Sequence, residues 1–406
     1  MENKNSPMLE LLLRPAFCVK DGLITEINQA AAAFLLCEGT PVLPLIATGA
    51  EEYENFREGC LYLTLSLSGH TVEATVLSME ECHLFVLEQS GEKPELQALA
   101  LAARELRGSL SGMAAAANRL LSNPERTPEP LAQLNRRLYQ MMRTVSNMSD
   151  AIIYCQCDSV PTEYVEICDF LEELLEKAAV LLRHIGLQLE WELPQEAIYT
   201  TADREKLERS VYNLLSNAAK HTPIGGRITV QLQRRGRLYL SVTDSGTGLN
   251  AAAKANAYER YLRTPTLTDG GEGLGLGLVL VRATALLHGG TVLIDHPEGG
   301  GTRGTMTLSI RHQKTPQMRT PVLRIDYAGE RDHALQELAA VLPASLYSPE
   351  YLQYAFPTRL TPGGFFTPDR ASDTDPCSFP PPGKPVPACR RPLPDRRRRP
   401  LRGPGQ

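Results

Sequence analysis

Three short segments carry residues whose types and spacing suit chemistry: Asn213-Leu-Leu-Ser-Asn217-Ala-Ala-Lys220-His221, Asp244-Ser-Gly246-Thr-Gly248, and Gly271-Glu-Gly273-Leu274-Gly275-Leu-Gly277. Asparagines at i and i+4 share one face of a helix, where carboxamide oxygens suit a hard cation and amide groups suit phosphate oxygens. Asn217 is the metal candidate of the two. Lys220, one turn further on, is a point charge for phosphate, and the His221 imidazole can stack on a purine. Asp244 follows the alternating run Leu238-Tyr-Leu-Ser-Val242, so its carboxylate stands at a strand end, where it can accept from an exocyclic amine. The glycines after Asp244 allow close approach to a flat ring, and those at 270–277 open a helix whose N-terminal amides favour an anion.

In this order the segments resemble the ATP-binding domain shared by sensor histidine kinases, Hsp90 chaperones, type II topoisomerases and MutL. Tyr258-Glu-Arg260-Tyr-Leu-Arg263 is similar to the phenylalanine box of that domain, and Gly299-Gly-Gly301-Thr302-Arg-Gly304 to its closing glycine segment. The resemblance implies ATP and Mg2+ as ligands. It implies nucleotide contacts from Asn213, Asn217, Lys220, His221, Asp244, Gly246, Gly248, Arg260, Arg263, Gly271, Gly273, Leu274, Gly275 and Thr302, with the metal at Asn217. ATPase branches carry a glutamate as general base where this chain has Asn213, which cannot take a proton, so the match is to the kinase branch. His221, Gly304 and Gly277 stand where an aromatic ring, a phenylalanine and a small alanine are commoner.

The elements that must position these groups are legible around them. Residues 162–312 read as an α/β sandwich ATP-binding domain, with helices 166–184, 203–220 and 274–288 and strands near 187–191, 227–233, 237–243, 291–295 and 304–310. Residues 9–90 give two strands about Asp21-Gly22, a helix from Ala30 to Leu36, and strands at 61–67, 72–76 and 83–87. That order and Asn28 are similar to a PAS sensory domain. Residues 93–157 carry two helices broken at Ser122–Pro128, with apolar seams at Leu99, Ala103, Leu106, Leu110, Met113, Ala117 and Leu120, then at Leu131, Leu134, Leu138, Met141, Val145, Met148 and Ile152. Such a hairpin buries its seams by pairing with a second copy, which predicts a homodimeric four-helix bundle. A short α/β extension spans 318–356, with a strand at 322–327 and a helix from His333 to Leu342. Residues 357–406 form a Pro/Arg-rich tail that cannot bury a core. The fold class expected is multidomain α+β.

The phosphoacceptor of the resembled kinases sits in a His-Glu-Leu-Arg-x-Pro-Leu type of motif, and the matching stretch here is Ala103-Arg104-Glu105-Leu106-Arg107-Gly108-Ser109-Leu110. Arg104 replaces the histidine and Ser109 the proline. A guanidinium offers donors but no lone pair for attack on phosphorus, which leaves Glu105 a base without a proton to take. No histidine lies between His83 and His184. The reading is a homologue of two-component signalling that binds MgATP without phosphorylating itself in cis; the alternatives are phosphorylation of a partner's histidine in trans, or of a serine such as Ser109 or Ser111. A response regulator receiver domain or an active histidine kinase is the expected partner.

Nine cysteines without a CxxC pair argue for reduced thiols rather than a disulfide framework or zinc site. No run of about 18 apolar residues occurs, so no membrane span is expected and a cytoplasmic location is. With a net charge of -5, nucleic acid is not an expected partner. His70 and His83 read as surface or satisfied core residues rather than haem ligands.

Overall fold

Alternating and fully apolar runs set the strands. The structure, a computed structural model, describes residues 14–79, 81–87, 128–156, 163–246, 276–311 and 332–355, together with Leu9, Leu12, Leu110, Gly112, Met113, Ala116 and Ala117. In the N-terminal part, β1 (Ala16–Lys20), β2 (Leu23–Ile27), a short β3 (Ile46–Thr48), helix α1 (Ala50–Glu54), β4 (Cys60–Leu67), β5 (His70–Ser78) and β6 (His83–Leu87) make an antiparallel sheet in the order β2-β1-β6-β5-β4. Asn28, 2% exposed, ties its start: Oδ1 accepts from the amides of Ala16 (3.0 Å) and Ala31 (2.9 Å), and Nδ2 donates to the carbonyls of Leu12 and Arg14. The expected helix from Ala30 to Leu36 is only a 3-10 turn, Ala31–Phe34. It stops because Leu35 turns to a left-handed φ of 56°.

Helix α2 (Pro128–Gln156) follows. The next part comprises β7 (Glu163–Glu166), α3 (Ile167–Arg183), β8 (Gln188–Glu192), β9 (Tyr199–Ala202), α4 (Arg204–His221), β10 (Arg227–Arg235), β11 (Arg237–Asp244), α5 (Leu276–Leu287), β12 (Val292–Asp295) and β13 (Arg303–Leu308). Its strands run β12-β13-β11-β10-β8, with β8 parallel to β10, and β7 pairs with β9 in a separate two-stranded sheet that sequence periodicity missed. The two larger sheets are continuous: β4 pairs with β12, Leu61 opposite Leu293. Gly59, at φ +107°, permits this approach, since an added Cβ would lie 2.1 Å from the Ile294 carbonyl oxygen.

The C-terminal helices α6 (His333–Glu337) and α7 (Pro349–Ala355) flank a 3-10 turn, Ala344–Tyr347. The helix expected from His333 to Leu342 ends at Glu337. Pro343 disfavours helical backbone at Leu342, and the carbonyls of Ala339 and Ala340 are taken by Arg136 and Gln140 of α2 instead of a further helical turn. Leu335, Leu338, Leu342 and Leu346 are at most 2% exposed and share one core with α3, α4 and β11. Burial of each is worth about 1.5–3 kcal/mol, so apolar packing is the main force seating this segment. The expected strand at 322–327, the first hairpin helix beyond five of its residues and the tail from 357 lie outside the described residues. Among the described residues, no helix is long and apolar enough to cross a membrane.

Candidate functional site

The frame of the site is α4, and its ends are fixed by side chains. Asp203 caps the N-terminus, Oδ1 accepting from the Lys206 amide at 3.1 Å and Oδ2 pairing with Lys206 Nζ at 2.9 Å. The Asp203 amide donates in turn to Nε2 of His288 at 3.0 Å, while His288 Nδ1 lies 2.7 Å from the Thr284 carbonyl. With Nδ1 as donor and Nε2 as acceptor the imidazole is neutral, and burial holds its pKa below the ordinary value of 6.5. At the other end the Thr222 amide and hydroxyl both donate to the Ala218 carbonyl, at 3.0 and 2.7 Å, and Pro223 stops the helix.

Strand β11 delivers the acid. Leu238, Leu240, Val242 and Asp244 alternate on its buried face, which places the Asp244 side chain, 5% exposed, in line with core residues. Its Oδ1 accepts from the Gly246 amide at 2.8 Å, and its own amide donates to the Thr302 carbonyl at 2.9 Å. Gly301, at φ +82°, passes so close that an added Cβ would lie 1.8 Å from the Asp244 carbonyl oxygen. Gly246 in turn sits against the His221 carbonyl at the end of α4. The structure therefore brings Asp244, Gly246, His221 and Thr302 to one corner.

The α4 face meets the start of α5. A Cβ at Gly277 would come within 2.4 Å of Asn213 Oδ1, so glycine is what lets α5 lie on the asparagine. Asn213 is 1% exposed, and its Nδ2 donates to the Arg209 carbonyl at 2.9 Å. Its oxygen is not left for a cation: Arg143 of α2 donates to it through Nη2 at 2.6 Å. Sequence reasoning grouped Asn213 with Asn217 as ligand groups and did not find Arg143, which no local pattern connects to α4. Asn217, one turn on, is half-buried, and Lys220 and His221 are exposed.

The residues present fit a magnesium nucleotide. Mg2+ retains waters and takes one or two protein oxygens alongside phosphates, a role within the means of the half-buried Asn217 carboxamide. Asp244 offers a buried acceptor beside a glycine-lined corner, which suits an exocyclic amine. Gly248, Arg260, Arg263, Gly271, Gly273, Leu274 and Gly275, and likewise Arg104 and Glu105, lie outside the described residues.

Part of the chain matches known proteins. Residues 202–312 match the family described as histidine kinase-, DNA gyrase B-, and HSP90-like ATPase. Histidine kinase P4 of Formosa agariphila is 32% identical over 141 residues, covering 34% of this chain and 10% of that protein. The adaptive-response sensory kinase SasA of Gloeothece citriformis is 29% identical over 266 residues, covering 61% of this chain and 66% of that protein. Histidine protein kinase DivJ of Caulobacter vibrioides is 39% identical over 127 residues, covering 31% of this chain and 21% of that protein. The chain thus spans 66% or less of the length of these curated relatives.

Proposed function

Because the chain belongs to the histidine-kinase family, we propose that it is a cytoplasmic two-component signalling protein that holds MgATP between α4, the Asp244 turn and α5, and that offers no histidine of its own to receive the phosphate. The observation that carries the reading is Asp244: a carboxylate 5% exposed at a strand end, with one oxygen held by the turn and glycine backbone packed around it. Asn217 would hold the magnesium, and Lys220, Arg260 and Arg263 the phosphates. MgATP bound there would supply a transferable phosphoryl group. Arg104, a permanent cation without a lone pair, cannot accept it, and Glu105 beside it then serves no proton transfer.

The order β2-β1-β6-β5-β4 supports a PAS-like sensory role for residues 9–90. On α2, Leu138 and Val145 remain 36% and 43% exposed, which supports a homodimer formed through residues 93–157. The chain would then regulate a receiver domain or an active histidine kinase through its nucleotide state. Incubation with γ-labelled ATP and Mg2+, alone and with a receiver-domain protein or with an added histidine kinase whose own ATP site is disabled, tests the reading. Nucleotide binding that Asn217→Ala removes, with no label on this chain, is expected. Acid-labile, base-stable label on the chain itself would overturn it, and label on an added kinase would support phosphorylation in trans.

A further inference from the structure

The segment 332–355 lies beyond the matched family domain yet reaches its nucleotide helix. Glu337, 2% exposed, divides its carboxylate between two arginines: Oε1 is 3.2 Å from Nε of Arg209 on α4, and Oε2 is 3.1 Å from Nε of Arg143 on α2. Arg143 then donates to Asn213 Oδ1 at 2.6 Å, and Arg209 to Asn147 Oδ1 of α2, also at 2.6 Å. A carboxylate this deeply buried is tolerable only when paired, and these two guanidiniums pair it while spanning two helices.

The rest of the segment grips α2. Arg136 donates to the carbonyls of Ala339 and Ala340, Gln140 to Ala339, and Asn135 to Tyr347. The Tyr347 ring meets Tyr139 edge-on at 5.2 Å, and its hydroxyl donates to the Leu335 carbonyl at 2.8 Å, folding the segment on itself. In this arrangement α2 is fastened to α4, and the Asn213 carboxamide has its oxygen on Arg143 and an amide proton on its own helix.

We propose that residues 332–355 are an inhibitory latch, in which Glu337 holds Arg143 on the Asn213 oxygen and so opposes nucleotide binding at α4. The latch rests on the nucleotide-site reading given above. Linkage makes the effect reciprocal: if release of Arg143 favours MgATP, MgATP must favour release of the segment. Docked or released, the segment would set how readily α4 and α2 part.

The test is MgATP titration of the full chain, native and as Glu337→Gln, Arg143→Gln and Asn217→Ala, with circular dichroism as a check of folding and amide hydrogen exchange read over 332–355. Both latch variants should bind about tenfold more tightly, a usual size for coupling between sites, and MgATP should speed exchange in 332–355 of the native chain. Should Glu337→Gln fail to fold, Arg143→Gln decides, because it keeps the Glu337–Arg209 pair. Native binding that Asn217→Ala removes, with unchanged or weaker affinity in the latch variants, overturns the latch and leaves the site standing. No binding in the native chain or either latch variant overturns the site and the latch together.

Discussion

Asp244 and Gly246 close on each other: the glycine amide donates to Oδ1 of the aspartate at 2.8 Å, committing that carboxylate oxygen to the turn. The same bond fixes the angle at which the side chain leaves β11. In the nucleotide-site reading proposed above, an acceptor held in this way would not need to be ordered again on binding.

Asp244→Asn keeps an oxygen for the Gly246 amide but replaces the second acceptor with a donor. A hydrogen bond to a charged group contributes about 1.5–3 kcal/mol, so MgATP affinity should fall roughly ten- to a hundredfold. Isothermal titration of both chains measures it, and an unchanged affinity would remove Asp244 from the site.

Gly301→Ala places a methyl group where the Asp244 carbonyl already stands, in a left-handed conformation that L residues avoid. Backbone strain and overpacking together should cost roughly 2–5 kcal/mol. Urea unfolding should show the loss. Gly299→Ala is the control, since an added Cβ there meets nothing within 4 Å.

His288 makes stability depend on pH. Burial lowers its pKa below 6.5 in the folded chain, so the unfolded chain binds the extra proton first as pH falls. The stabilisation is complete above about 6.5 and drains away as pH drops from there toward the lowered folded value. Denaturation midpoints at pH 7.5 and 5.5 should therefore fall more in the native chain than in His288→Asn. His83, lowered for the same leading reason, contributes equally to both chains and cancels in the difference.

Cys82 should be a reactive thiol. A hydrogen bond from the Cys18 thiol brings it down to about 7 against the opposing pull of burial, while the same contact and burial push Cys18 up. Alkylation of Cys82, followed by peptide mass spectrometry, should rise through about pH 7. Cys18→Ala should slow it roughly threefold at pH 7.5, a smaller thiolate fraction being partly offset by higher intrinsic nucleophilicity.

The frame of the candidate site was legible because it is local. The asparagines of α4 lie four residues apart, and Asp244 sits at the end of a two-residue alternation whose inward phase is set by Leu238, Leu240 and Val242. Most strands of both sheets were placed for the same reason. The environment of Asn213 was not legible. Its partner Arg143 is 70 residues away, and Glu337 is a further 194 from Arg143, separations at which polar residues leave no periodic trace. The joining of β4 to β12 was equally hidden, since its signal is one glycine at a strand entrance rather than a pattern of side chains.

That junction has a consequence for any attempt to study the nucleotide-binding half by itself. Residues 60–62 cover the outer hydrogen-bonding edge of β12. A fragment cut after α2 would lose that cover and present a bare strand edge, a template for pairing with another copy. Self-association of such a fragment would be a product of the cut, and stoichiometry measured on it would describe an orphaned edge rather than the assembly of the whole chain.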